Sequence, residues 1–419
     1  VFETAPFDDE QRRGWPRVSV VVCAHNAADT MEECLVALEQ LRYPDFELIV
    51  VDDGSRDATP DIVRAHPSVH LVESLHCGLS AARNIGLAQA TGEVVAYTDA
   101  DVRVDPDWLA YLVQPFVSSD AIGSGGPNIV PSDDPWMAQC VARAPGSPTC
   151  VLLDDRVAEH VPGCNMAFRR HALLAVGGFT PIFVRAGDDV DLCWRLQAQG
   201  GEIAFAPSGL VWHRHRATVR AYWRQQVGYG EGETWLKVLH PEKFTGHQAV
   251  WYGRIYSQLP FVQSLSRTQI HTGVWGTAAF PSVYQIDAHP LVHWPHTARW
   301  LMASLILVMA GGAVSFGPSA WLAYWLAAVG GLGLALTLGK CIRYGLHTDI
   351  DSLPRIGRHS RVVSRAWYRV MIAWLHLIQP LARMHGRVRG MLFLPHAYAQ
   401  ADSENDQRSR PVPSWRDAW

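Results

Sequence analysis

The chain has 419 residues, 48% of them hydrophobic and 18% charged, with a formal net charge of −4. That length allows one large or two moderate domains, and the near balance of charge excludes a dedicated nucleic-acid binder. The eight cysteines are scattered, with no Cys-x-x-Cys pair. Neither a zinc site nor a disulfide framework is therefore expected, and the thiols read as reduced and buried in a cytosol-facing protein.

Residues 1–16 are polar and lack a secretory signal, and the Val at position 1 leads us to expect a chain excised from something longer. Val18 to Cys23 is a β-branched run suited to a buried parallel strand. Apolar residues at Met31, Cys34, Leu35, Leu38 and Leu41 then predict a helix over 29–41. A strand (46–51), a helix (59–66), a short strand (69–72), a helix (79–89), a strand ending at Asp99 and a helix opened by Pro106 follow. This alternation predicts an α/β fold with a doubly wound, mostly parallel sheet, whose ligands bind beyond the carboxyl ends of the strands. Three strands end there in polar residues: His25-Asn26, Asp52-Asp53, and Asp99 with Asp101. Side chains at i and i+2 of an extended backbone face the same way, so Asp99 and Asp101 can share one Mg²⁺ or Mn²⁺.

Residues 127–160 contain Pro127, Pro131, Pro135, Pro145 and Pro148 and read as an irregular lid or recognition element. A regular stretch from Gly163 and a helix to Val176 come next. The segment from Gly187 then opens a helix with Asp188, Asp189 and Asp191 in its first turn, where the macrodipole tolerates acids and capping explains them equally well. His213 follows a short strand (209–212) and is either a third metal or diphosphate ligand or a satisfied histidine. Arg216 and Arg224 either meet a diphosphate or acceptor or are simply solvated. The aromatics of 250–290 suit sugar stacking and membrane anchoring alike.

Residues 300–339 lack Lys, Arg, Asp and Glu altogether. Their two apolar stretches, each near the ~17–25 residues of a membrane span, predict a transmembrane hairpin. Arg299, Lys340 and Arg343 put its ends in the cytoplasm. Farther on, Trp367, Val370, Met371, Trp374, Leu377, Ile378 and Leu381 form one helical face, with Arg369, His376, Gln379 and Arg383 opposite. This predicts an amphipathic helix lying in the membrane interface or packed on the catalytic domain. The tail from Ala401 is polar and expected to be disordered.

Five segments in order, VSVVVCAHN (18–26), FELIVVDDGSRD (46–57), GLSAARNIGLAQATGEVVAYTDAD (78–101), PGCNMAFRR (162–170) and GDDVDLCWRL (187–196), make residues 17–235 resemble the family 2 glycosyltransferases, enzymes of GT-A fold. The resemblance implies metal-dependent transfer of one sugar from a nucleotide-sugar donor to an acceptor hydroxyl, with inversion. By similarity Asp52 contacts the base, Asp53 sits beside it, and Asn26 and Arg83 line the nucleotide or diphosphate. Asp99 reaches the ribose or metal, and Asp101 is the principal ligand of Mn²⁺ or Mg²⁺. Asp189 matches the base; the family's preceding Glu is here Asp188, which loosens the assignment between the two. Asn165, Asp191, Arg216 and Arg224 are grouped with the acceptor or diphosphate.

The resemblance divides its span into a donor half (17–126) and an acceptor half (127–240), and the sequence pattern beyond adds a connector (241–299), the hairpin (300–339) and a basic interfacial region (340–400). The hairpin and its flanking charges, with a nucleotide-sugar donor that is cytosolic, lead us to expect a multi-pass protein of the cytoplasmic membrane, its site facing the cytoplasm and its acceptor a lipid-linked or cell-envelope glycan. Trp223-Arg224-Gln225-Gln226 is not the Gln-x-x-Arg-Trp motif of processive synthases, which favours single-sugar transfer. A processive synthase and an inactive nucleotide-sugar-binding scaffold are the alternatives. A nucleotidyltransferase shares the α/β layout, but the chain lacks the Gly-rich, basic loop such an enzyme carries directly after the first strand.

Overall fold

The computed structural model describes residues 12–245, 248–249, 252–255, 294–314 and 320–393. Most of the N-terminal segment, nearly all of the 250–290 aromatic stretch, the turn at 317–319 and the tail from 401 lie outside the described residues.

The first half alternates as its sequence pattern predicts: β1 (Val18–Ala24), α1 (Ala28–Glu39), β2 (Phe46–Asp53), α2 (Thr59–Arg64), β3 (Val69–Ser74), α3 (Leu79–Gln89) and β4 (Val94–Asp99). Next come β5 (Val102–Val104), α4 (Trp108–Ser118), β6 (Gly123–Gly125), β7 (Asn128–Ile129), α5 (Trp136–Ala142), β8 (Val151–Leu152) and β9 (Ala158–His160). They are followed by β10 (Asn165–Arg169), α6 (Arg170–Ala175), α7 (Asp188–Ala198), β11 (Ile203–Phe205), β12 (Val211–His213) and α8 (Val219–Leu239). The 127–160 segment thus contains short elements, though no long periodic one.

Seven strands form the central sheet in the order β11-β6-β10-β4-β1-β2-β3. β1 to β4 are parallel and β10 runs against β4 and β6, which gives the mostly parallel, helix-covered sheet of a GT-A fold. Strand side chains alternate between faces, so each strand feeds two cores. Val20, Val22, Leu48, Val50 and Ala96 pack with Leu35, Leu38 and Trp108 on one side. Val21, Ile49, Val95, Tyr97 and Phe168 pack with Leu173 and Leu192 on the other. Because β1, β2 and β4 are parallel neighbours, their polar carboxyl ends share one edge. All eight cysteines are free thiols.

The C-terminal part holds the helices Ala298–Val314, Ala320–His347 and Arg361–Leu392. Among the described residues only the stretch 321–347 is long and apolar enough to cross a membrane, and the 298–313 helix falls short. One candidate span with a shorter apolar partner thus stands where the sequence predicts two spans. The two pack closely: the Trp300 indole donates to the Gly333 carbonyl at 3.1 Å.

The 361–392 helix packs on α8 and α5, burying Tyr368, Ile372, Leu375 and Ile378 in an apolar cluster, but the buried face also takes in polar residues expected on the other side. Its polar residues His376, Gln379 and Arg383 are buried, while Trp367, Val370 and Trp374 are exposed. Glycines allow the close crossing, since a methyl group on Gly386 would run into the Val227 carbonyl and one on Gly230 into that of Arg383. Gly386→Ala should push the helices apart and cost about 1–3 kcal/mol, read as a lowered melting temperature; unchanged melting would mean the crossing is looser than described.

Candidate active site

Sheet register delivers the first acids. Asp99 ends β4 level with Cys23 of β1, and the chain then turns through Ala100 and Asp101 into β5. β5 pairs antiparallel with β12, His213 opposite Val102, which carries His213 Nε2 to 3.4 Å from Asp101 Oδ1. Arg216, just beyond, donates to Asp101 Oδ2 at 3.0 Å. Arg214 pins the same segment, its backbone N–H donating to the Asp101 carbonyl at 3.0 Å and its guanidinium bonding Glu33, Asp133 and Asp134. Burial pushes the Asp101 carboxyl up, but His213 and Arg216 outweigh it and hold it below the usual range. Asp99 is raised by burial, with Arg83 opposing and Asp101 adding to the shift.

An Asp99 oxygen, the Cys164 sulfur and a His213 ring nitrogen lie within 4.8 Å of one another. His213 Nδ1 is buried without a hydrogen-bond partner. Two carboxylates and an imidazole fit a hard divalent cation. The Cys164 thiol does not suit one: burial first, then Asp99 and Asp101, push its pKa far up.

Arg83 joins these acids to the start of α7. Its α3 begins at Gly78, whose φ of +91° no side chain adopts readily and where a Cβ would strike Val184. Leu79 N–H donates to the Val184 carbonyl and Ser80 Oγ to that of Phe183, so α3 lies beside the loop that leads into α7. The buried Arg83 guanidinium pairs with Asp188, with Asp99 at 3.2 Å, and with the Gly163 carbonyl at 3.0 Å. The other side of that glycine, its N–H, donates to Asp189 Oδ2 at 3.0 Å.

The two neighbouring acids differ sharply. Asp188 is 3% exposed and spent on Arg83; burial raises it to about 6 against the pull of that guanidinium. Asp189 keeps 21% of its side chain exposed, with His160 Nε2 at 3.3 Å. Burial would raise Asp189 too, but His160 and then Arg83 lower it to about 2. Arg83, Asp99, His160, Asp188 and Asp189 all line one cavity, whose far wall is Tyr229 and Glu233 of α8 and Arg383 of the 361–392 helix. Arg383 pairs there with Glu233 and lies 4.8 Å over the Tyr229 ring.

At the ends of β1 and β2, Asp52 is buried, with Oδ2 accepting from Ser55 N–H at 3.2 Å and Oδ1 without a partner. Asp53 is occupied by its own loop, accepting from the Cys77 and Gly78 N–H groups at 2.7 and 3.0 Å. Asn26, at φ 52°, accepts from Arg56 N–H at 2.8 Å and so joins the two loops. His25 and His76 stack above Asp53, 4.2 Å between centroids.

All four residues grouped with the acceptor or diphosphate stand outside the cavity lining, Arg216 being bonded to Asp101. Asn165 is fully buried, accepting from the Trp108 indole at 2.8 Å and donating to the carbonyls of Pro127 and Gly209. Asp191 is spent on Thr180, Arg195 and His240. Arg224 is exposed on α8. Conversely His160, Tyr229, Glu233 and Arg383 line the cavity without having been singled out for it by sequence pattern.

Residues 19–177 match the family model "Glycosyl transferase family 2". A pre-mycofactocin glycosyltransferase of Mycobacterium tuberculosis is 33% identical over 237 residues, which is 54% of this chain and 48% of that protein. A poly-β-1,6-N-acetyl-D-glucosamine synthase of Staphylococcus epidermidis is 25% identical over 224 residues, 51% of this chain and 54% of the other. The chain thus spans about half the length of the curated relatives it matches. Among solved structures, a mannosyltransferase of Pyrobaculum calidifontis in complex with GDP-Man and Mn²⁺ is similar at 18% identity and a TM-score of 0.48, over 93% of this chain and 90% of that one. Residues 19–177, which hold four of the five motifs, are thus a glycosyl transferase family 2 domain.

Proposed function

We propose that the chain is an inverting, metal-dependent glycosyltransferase that moves one sugar from a nucleotide-sugar donor to an acceptor hydroxyl. The carrying observation is the Arg83 bridge, which sets Asp99 at the end of β4 and Asp189 at the start of α7 on the walls of one cavity. Asp52, with an unpartnered buried oxygen, is suited to accept a hydrogen bond from a nucleotide base. Asp99, Asp101 and His213 would hold Mn²⁺ or Mg²⁺, which when bound neutralises charge on the departing diphosphate. Arg216 and Arg83 add positive charge on that side. Asp189, ionised and open to the cavity, takes the acceptor proton; Asp188 instead fixes Arg83. Displacement at a sugar carbon has oxocarbenium-like character, and a carboxylate facing it stabilises that as well.

Thermal stabilisation by UDP, GDP, dTDP and CMP sugars, with and without Mn²⁺, tests the reading. One nucleotide class should raise the melting temperature only with metal; no response from any would overturn the donor assignment.

We further propose that the 320–347 helix anchors the protein in a membrane, with the site facing the cytoplasm. Trp321, Tyr324, Trp325, Val329 and Leu332 on this helix and Trp367 and Trp374 on the 361–392 helix are exposed, as lipid-facing residues are. A lipid-linked or envelope glycan then suits the acceptor. The protein should float with liposomes in a density gradient and resist carbonate extraction; recovery in the carbonate supernatant would remove the anchor.

A further inference from the structure

His160 is a histidine of an irregular segment that sequence pattern leaves unremarked. It ends β9 with its side chain 3% exposed. On one side of the ring Nδ1 lies 3.0 Å from the Thr149 carbonyl; on the other Nε2 lies 3.3 Å from Asp189 Oδ2. Both neighbours are acceptors. A ring protonated on both nitrogens would turn one N–H toward each of them, as a cation beside the carboxylate. The Thr149 carbonyl cannot rotate away as a side chain can, so it sets the ring's direction, and the ring in turn sets that of the carboxylate.

We propose that His160 is the positioning residue of Asp189, an imidazolium clamped between the Thr149 carbonyl and the Asp189 carboxylate that keeps the carboxylate ionised and turned toward the cavity. This rests on the reading of Asp189 as the proton acceptor. Other groups among the described residues also face Asp189. Gly163 N–H and Val190 N–H donate to it at 3.0 and 2.9 Å. Arg83 approaches from α3 and its own neighbour Asp188 opposes it; Tyr229 of α8, Cys164 of the loop before β10 and Cys193 of α7 complete the surroundings. Of these, only Arg83 and His160 bring positive charge, and Arg83 is shared with Asp99 and Asp188.

The sign of the effect follows. A carboxylate held low by a partner is ionised over the whole working range, and losing the partner lets burial lift its pKa. The acid limb of activity then moves to higher pH.

The test uses the full chain with saturating Mn²⁺ and the nucleotide sugar that stabilises it, with rates of donor hydrolysis or transfer followed from pH 4 to 8. The native carboxyl, at about 2, gives no acid limb in this range; in His160→Ala its midpoint should rise by roughly one to three pH units and bring the limb toward or into the range, with His160→Gln, which keeps a hydrogen-bond donor but no charge, falling between. The Asp189 carboxyl is also followed directly by ¹³C NMR, its resonance assigned by its loss in Asp189→Asn; its midpoint should rise by the same amount. An unmoved carboxyl midpoint in both His160 variants would overturn the proposal, whatever their rates. Full activity in Asp189→Asn would instead strike the proton-acceptor reading beneath it, so the two failures are told apart. Should His160→Ala fail to fold, the glutamine variant carries the test.

Discussion

Asp101→Ala should lower metal-dependent sugar transfer by about 10³-fold or more, roughly 4 kcal/mol of transition-state stabilisation. Asp101 lies in the turn between β4 and β5, with 18% of its side chain exposed, so little of the core depends on it. What depends on it is charge. Removing the carboxylate takes away one ligand and leaves the Arg216 guanidinium facing the site without its acid, a charge that repels a cation. The Mn²⁺-dependent part of nucleotide stabilisation should disappear together with activity, while melting without ligand shifts little. Asp101→Asn separates charge from shape and should lose nearly as much. Initial rates against Mn²⁺ concentration check both; full activity in either variant would remove the metal role assigned to Asp101.

Asp189→Asn should lower turnover by about 10²–10⁴-fold, the range for removal of a general base, and leave donor affinity nearly unchanged. The amide keeps an oxygen for the Gly163 N–H but has neither charge nor basicity. Because the native carboxyl sits at about 2, it is ionised at every pH where the enzyme is assayed, so the variant's deficit should not vary between pH 6 and 8. Asp188 provides the contrast, being committed to Arg83 inside the protein. Replacing it disturbs the bridge that holds β4 and α7 together, and the loss then appears in stability and donor binding as well as in rate. Steady-state kinetics with donor and acceptor varied separately distinguish the two patterns.

The sheet and its acidic edge were legible because local chemistry repeats there. Continuous β-branched runs alternating with helical spacing leave few topologies open, and parallel pairing necessarily gathers the residues after β1, β2 and β4. His213 illustrates how far this reaches. Its place beside Asp101 depends on the β5–β12 register, a contact across more than a hundred residues that no local pattern encodes. His160 was not legible at all, since a solitary histidine among prolines and short strands has no periodicity to mark it. Asn165 and Asp191 show the converse: motif residues can be spent on holding the fold, and only the direction of their hydrogen bonds reveals it.

The 361–392 helix was misleading for a physical reason. Apolar spacing there reads as a buried face, with Arg383 and Gln379 turned to solvent. In the folded chain, α8 offers Gln226 and Glu233 as partners for Gln379, Arg383 and Arg387, so polar groups can be buried with their bonds made. The tryptophan side is left outward, beside the apolar 320–347 helix. Burial followed these partners beside an apolar stripe of Tyr368, Ile372, Leu375 and Ile378, and it put Arg383 into the wall of the site.

The most direct test is a crystal structure with Mn²⁺ and the nucleotide sugar that stabilises the protein, the metal located by anomalous scattering. Mn²⁺ should lie between Asp101 and His213, in contact with the diphosphate, and the anomeric carbon should open toward Asp189. A metal bound elsewhere, or a donor whose sugar points away from the Asp189 carboxylate, would contradict the account at its centre.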